Sequence, residues 1–216
     1  MRFLLIALFS LSLSIPTWAE YTLAVFGDSL SAGYRLPQKD SFYAQLEKAL
    51  RTKGYDVRVL NASKSGETTT GGVRKVSALL SNAPDGVILE LGINDSFHNT
   101  PIATIKNNLK SLIESFQNHR IAVLLTGMKT TPNKSAAYQQ QFEEMYQDLA
   151  TEYSLELYPF FMDGVFDTLN LQKIPPQNDK LLSDGLHPNA HGVSLMVRGI
   201  LPTVERFLTQ QGVEVK

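Results

Sequence analysis

From residue 20 to residue 160 the chain alternates short, β-branched apolar runs with longer stretches whose apolar residues recur at helical spacing. Strands of this composition need cover on both faces, and intervening helices supply it when the strands form one parallel sheet, so the fold class is α/β. Strands are predicted at Tyr21–Phe26, Val57–Leu60, Gly86–Leu91, Ile121–Thr126 and a short Leu155–Tyr158. The first helix is capped by Asp40 or Ser41, carries Phe42, Leu46, Ala49 and Leu50 on one stripe, and stops at Gly54. The second sets Val73, Val76, Leu79 and Leu80 on one face. The third opens with Pro101 at its first position and turns Ile102, Ile105, Leu109, Leu112, Ile113 and Phe116 inward. The fourth spans Ala136 to Glu152 around Phe142, Met145 and Leu149. Beyond the fifth strand the pattern predicts a short helix over Phe160–Leu169 and a polar loop over Ile174–Ser183. A final helix starts near Asn189, which Pro202 should kink or divide.

The first nineteen residues stand outside this pattern. Arg2, the apolar run Phe3–Ile15, Pro16 and the ending Thr17-Trp18-Ala19 read as a secretory signal cleaved after Ala19. As an anchor, the run would cover only about 20 Å of a hydrocarbon core of about 30 Å. Residues 20–216 show no repeat, linker or further long apolar run, which predicts one domain with no stable membrane insertion once the signal is removed. Without Arg2, 19 basic residues face 21 acidic ones, and the net charge of −2 argues against a nucleic-acid or polybasic membrane partner. The chain has no cysteine, which excludes a disulfide scaffold, a thiol nucleophile and thiolate-bound zinc.

In an open parallel sheet ligands bind beyond the carboxyl ends of the strands. Three of these ends mix glycine with small polar residues: Gly27-Asp28-Ser29-Leu30-Ser31-Ala32-Gly33, Asn61-Ala62-Ser63-Lys64-Ser65-Gly66 and Gly92-Ile93-Asn94-Asp95. Ser29, at a strand-to-helix turn, is a candidate nucleophile, although a serine there is more commonly an N-cap. A nucleophilic serine needs a base, and the chain has four histidines. His98 lies in a polar loop, His119 closes a helix and His191 falls in the first turn of the last helix, where solvated or dipole-related roles suffice. His187 follows Asp184 by three residues, with Gly185 free to turn the chain. The carboxylate can fold back onto Nδ1–H and leave Nε2 facing outward.

Four separated motifs resemble the SGNH (GDSL) hydrolase family, in particular its small exported thioesterase, lysophospholipase and arylesterase branch. They are Phe26-Gly27-Asp28-Ser29-Leu30-Ser31-Ala32-Gly33-Tyr34, Asn61-Ala62-Ser63-Lys64-Ser65-Gly66-Glu67-Thr68, Glu90-Leu91-Gly92-Ile93-Asn94-Asp95 and Asp184-Gly185-Leu186-His187-Pro188-Asn189. The resemblance implies a three-layer α/β/α domain with a five-stranded parallel sheet in the flavodoxin-like order 2-1-3-4-5. It implies Ser29 as nucleophile, His187 as general base and Asp184 as the residue orienting it. The oxyanion hole would be made by the N–H groups of Ser29 and Gly66 and the side chain of Asn94. It further implies a small acyl ester or thioester as substrate, no cofactor or metal, a monomer, and a periplasmic or secreted location. Asp28 reads as a turn organiser, as do Asn61 and Gly92, and Asp95 leans the same way.

Other readings fit less well. The α/β-hydrolase elbow needs a glycine where Ser31 stands. A metal site from Asp184, His187 and His191 is interrupted by Pro188 and lacks the base glutamate of the zinc-protease pattern. A carbohydrate acetylesterase of the same family, or a binding module without catalysis, remain the functional alternatives. Turnover that vanishes with Ser29 separates catalysis from mere binding. Ile93, where relatives commonly have a second glycine, its neighbours Ser96, Phe97 and His98, and Lys134 in place of an aromatic bear on acyl-chain preference rather than on reaction class. Leu30, Phe97, Met128, Phe160 and Phe161 are candidates to line an acyl groove.

Overall fold

The computed structural model describes residues 20–166 and 179–216. Its five strands are β1 (Tyr21–Gly27), β2 (Val57–Asn61), β3 (Gly86–Glu90), β4 (Ala122–Thr126) and β5 (Glu156–Tyr158). They form one parallel sheet in the order β2-β1-β3-β4-β5. The helices are α1 (Ser29–Ala32), α2 (Phe42–Thr52), α3 (Thr69–Leu80), α4 (Ile93–Phe97), α5 (Ile102–Asn118), α6 (Ala136–Glu152) and α7 (Ala190–Gln210). α2 packs on α7, while α5 packs between α3 and α6, so the sheet lies between two helical layers.

The apolar stripes account for this arrangement. α2 turns Phe42, Leu46 and Leu50 inward, α5 turns Ile105, Leu109, Leu112, Ile113 and Phe116 inward, and every residue of β3 is buried. Burying one such side chain fully is worth about 1.5–3 kcal/mol, so these stripes set which helix face meets the sheet. Aromatic edge contacts join the layers to their neighbours, Phe26 to Phe116 at 5.8 Å and Phe42 to Phe161 at 4.7 Å. Among the described residues no helix is long and apolar enough to cross a membrane.

Several expectations need correction. In α3 the inward residues are Thr69, Gly71, Gly72 and Leu79, whereas Val73 is exposed. Of the predicted face, Leu79 is buried and Val76 and Leu80 pack against the core. A Cβ at position 72 would stand 2.8 Å from Leu91 Cδ1, so the glycines set how closely the helix approaches the sheet. Pro101 is the N-cap of α5 and the helix begins one residue later. Pro202 does not divide α7, which continues through it. The ring lies on the exposed face, where water can solvate the carbonyl it deprives of a partner, and buried Ile200, Thr203, Val204 and Phe207 hold the helix on both sides. Phe160–Phe166 forms turns with an Asp163–Phe166 bridge and no helix, while the rest of the predicted Phe160–Leu169 helix and the first half of the Ile174–Ser183 loop, residues 174–178, lie outside the described residues.

β1 has β2 on one side and β3 on the other, with Gly27 level with Glu90. The connections leave β1 and β3 in opposite directions across the sheet, which opens a crevice beyond their carboxyl ends. α1 and α4, which periodicity alone is too short to reveal, start there.

Candidate active site

β1 runs directly into α1, where Asp28 is the N-cap and accepts the Leu30 N–H at 2.9 Å. Capping therefore falls to Asp28, and the Ser29 hydroxyl turns across the crevice to lie 2.9 Å from His187 Nε2. His187 Nδ1 lies 2.9 Å from Asp184 Oδ2. The other oxygen, Asp184 Oδ1, accepts the N–H groups of Leu186 and His187 at 2.9 and 3.0 Å. Partial burial pushes the Asp184 carboxyl up, but these two backbone donors and the His187 ring outweigh it and hold the group down at about 2. An ionised carboxylate can only accept, so the hydrogen between Asp184 and His187 sits on Nδ1 and the Nε2 lone pair faces Ser29.

Gly66 and Asn94 stand on the same crevice and, with Ser29 and His187, line a cavity of about 450 Å³. Gly66 has φ 76°, a left-handed conformation that a side chain would strain. Asn94 lies in the first turn of α4, and its Nδ2 donates to Asp28 Oδ2 at 3.0 Å and to Glu67 O at 2.9 Å. Both amide hydrogens are thus engaged, and an incoming oxyanion must share or displace one of these acceptors. Asp95 turns the other way, its carboxylate accepting Thr69 N–H at 2.8 Å and Thr69 Oγ1 at 2.7 Å, which ties α4 to α3.

Behind Ser29 lies a buried pair of carboxyl groups, Asp28 and Glu90. Glu90 Oε2 accepts the Asp28 N–H at 3.1 Å and lies 2.9 Å from Ser31 Oγ, which in turn lies 2.9 Å from Ser63 Oγ. Ser63 gives its hydrogen to Val25 O at 3.0 Å. Ser31 Oγ thus has three acceptors in reach of its one hydrogen, Glu90 Oε2, Ser63 Oγ and Asp28 O at 3.4 Å. Among the described residues Glu90 Oε1 is buried with no hydrogen-bond partner, which a neutral acid tolerates far better than a carboxylate. Burial, then the neighbouring Asp28 charge, holds Glu90 well above the usual carboxylate range. Burial likewise pushes Asp28 up, to about 7, against the lowering effect of the Leu30 and Asn94 donors.

The cavity wall is largely apolar and includes Leu30, Ile93, Phe97, Met128 and Phe160, with Lys129 among them. Phe161 is not part of it: the ring is fully buried against Phe42. Tyr34, Met162, Phe166 and Leu186 also line the cavity, and sequence reasoning gave none of them a site role. Lys134 does not line the cavity but bonds Asn99 Oδ1 at 2.5 Å. Glu90 was also missed, although a charge closing the otherwise apolar strand Gly86–Glu90 was a visible signal. Of the remaining histidines, His119 Nδ1 lies 2.8 Å from Ser115 O at the end of α5, His98 caps α4 and His191 is exposed on α7. Among the described residues no three His, Asp or Glu side chains are grouped to hold a metal ion.

The model of the GDSL-like Lipase/Acylhydrolase family matches residues 25–195, most of the chain. The chain belongs to this family. Esterase TesA of Pseudomonas aeruginosa is 34% identical over 191 residues, 88% of this chain and 90% of that protein. The Escherichia coli protein named thioesterase 1/protease 1/lysophospholipase L1 is 32% identical over 183 residues, 84% of this chain and 82% of its own. A crystal structure of TesA superposes with a TM-score of 0.77 at 34% identity, covering 87% of this chain and 99% of that one. As a GDSL-like acylhydrolase with these relatives, the protein is an ester-hydrolysing enzyme.

Proposed function

We propose that the protein is a serine esterase and thioesterase that works through an acyl-enzyme intermediate, and that it acts as an exported monomer after loss of residues 1–19. The observation that carries this reading is the unbroken line from Asp184 through His187 to Ser29, opening on an apolar cavity. Ser29 Oγ attacks the acyl carbonyl as His187 Nε2 takes its proton, and the carbonyl oxygen becomes an oxyanion. The N–H groups of Ser29 and Gly66 and the Asn94 amide meet that charge. Collapse of the intermediate expels the alcohol or thiol, which leaves with the proton from Nε2–H, and water then repeats the sequence on the acyl-serine. Asp184 keeps its charge throughout and stabilises the imidazolium. The thioester and lysophospholipid part of the reading is supported by the name of the Escherichia coli relative.

Each fixed donor aimed at an oxyanion is worth about 10²- to 10³-fold in rate. Asn94→Ala is therefore expected to lower kcat by about that factor with KM little changed. A kcat within twofold of the parent in the same p-nitrophenyl ester assay would remove Asn94 from the oxyanion hole.

The cavity falls within the usual range for small-molecule sites, and its apolar wall favours acyl chains longer than acetyl. Each methylene buried contributes about 0.8 kcal/mol, so kcat/KM along a p-nitrophenyl series from acetate upward should rise about fourfold per carbon until the cavity is full. A series that is fastest at acetate would instead favour the acetylesterase alternative.

A further inference from the structure

His187 sits at the end of an exposed turn: Ser183, Asp184, Gly185 and Leu186 all face solvent. Its two hydrogen bonds, to Asp184 Oδ2 and to Ser29 Oγ at 2.9 Å each, leave from opposite sides of the ring. Such a pair fixes the line through the two nitrogens but does not stop the ring rocking about that line. A contact on the ring face supplies the missing restraint. The Tyr34 ring makes one, its centroid 4.3 Å from that of His187 and its plane inclined by 37°.

Tyr34 is itself tied to the nucleophile. Its N–H donates to Ser29 O at 3.2 Å, and the Gly33 N–H that caps α1 donates to the same carbonyl. The Arg35 guanidinium carbon lies 5.1 Å from the Tyr34 centroid. One short turn therefore carries both the serine hydroxyl and the aromatic face against which the base rests.

We propose that Tyr34 is a positioning residue for the catalytic base, holding the tilt of the His187 ring that keeps the Nε2 lone pair, which lies in the ring plane and off that line, aimed at Ser29 Oγ. The inference rests on the roles given above to Ser29 and His187. The contact also responds to charge, because His187 is neutral before attack and cationic once it has taken the serine proton, and the face of an aromatic ring attracts a cation. Among the described residues, Asp184 on the base's own turn and Arg35 beside Tyr34 are charged groups in contact with this stack. Since the attraction grows as the proton moves, its loss falls on kcat and not on KM.

The test compares Tyr34→Phe, Tyr34→Trp and Tyr34→Leu in the purified enzyme by steady-state hydrolysis of p-nitrophenyl butyrate. The rate of inactivation by diethyl p-nitrophenyl phosphate, which reads attack by the serine without an acyl chain, is measured beside it. Cation–aromatic energies correspond to about 2- to 30-fold in rate, so Tyr34→Leu is expected to lower kcat by about tenfold, with KM within about twofold. The inactivation rate should fall by the same factor, and Tyr34→Phe and Tyr34→Trp should recover most of both losses. A raised KM with intact kcat in Tyr34→Leu would make Tyr34 a cavity wall only, and equal losses in Phe and Leu would move the role to the phenol hydroxyl. Either result overturns the proposal. Should the Leu variant not fold, Tyr34→Met takes its place under the same criteria. Ser29→Ala is run alongside: if it still hydrolyses the ester, the reading of the site fails, whereas an inactive Ser29→Ala with a fully active Tyr34→Leu sinks only the role of Tyr34.

Discussion

Ser29→Ala is expected to lower kcat/KM for p-nitrophenyl esters by a factor on the order of 10⁴ to 10⁶. The substitution removes one oxygen and with it the atom that would form the acyl bond, while the Ser29 N–H and the other oxyanion donors stay in place. Residual catalysis above the water reaction is therefore expected, from binding and charge stabilisation alone. The fold should survive, because among the described residues the hydroxyl bonds only His187 and the cap of α1 is supplied by Asp28. Purified Ser29→Ala with a parental circular dichroism spectrum, assayed against the parent with and without EDTA, decides the matter. Activity within tenfold of the parent would sink the serine mechanism, and activity that survives the substitution yet vanishes in EDTA would point to a metal.

Folding stability is expected to fall as pH rises from about 4 toward 8, the reverse of the usual behaviour of a protein with paired carboxylates. In the unfolded chain Asp28 and Glu90 release their protons near pH 4. In the folded protein burial raises both, Asp28 to about 7 and Glu90 well above its ordinary value. The folded state therefore holds more protons in this window, so the stability contributed by the neutral pair is complete below pH 4 and is lost as pH rises through the folded values. Asp184, held at about 2, works in the opposite sense: its contribution is present above its unfolded value of 3.8 and is lost as pH falls toward 2. The two trends place maximum stability near pH 4. Urea midpoints at pH 4, 6 and 8 measure this directly, and Glu90→Gln, which keeps the shape without the titration, should flatten the slope. A midpoint that stays level or rises with pH in the parent would mean that Glu90 and Asp28 are ionised when buried.

Much of the architecture was readable because it rests on local repetition. The stripe of α5 and the buried run of β3 are set by residues a few positions apart, and the structure places both elements within a residue or two of where their periodicity puts them. In α3 Val76, Leu79 and Leu80 do pack on the core, but Val73 is exposed, and Gly71 and Gly72 went unread because glycines that admit a close approach carry no hydrophobic signal. α1 and α4 were invisible, since helices of four and five residues are too short to show a period. Pro202 does not divide α7, because a proline on a solvated face costs less than one in a buried ladder.

The candidate site divides in the same way. Asp184 and His187 are three residues apart, and the geometry of their hydrogen bond follows from the turn between them, so the chain alone carried that pairing. The four motifs likewise identified Ser29, Gly66 and Asn94 as a set, through their likeness to a family. The stacking of Tyr34 on His187, the burial of Glu90 beside Asp28 and the cavity wall assembled from six separate segments are different in kind. These depend on which side chains meet across more than fifty residues of intervening chain and on how much water their meeting excludes. Neither quantity is written in any window of the sequence, because desolvation and ring contact exist only once β1, β3 and the turn before α7 have been brought together.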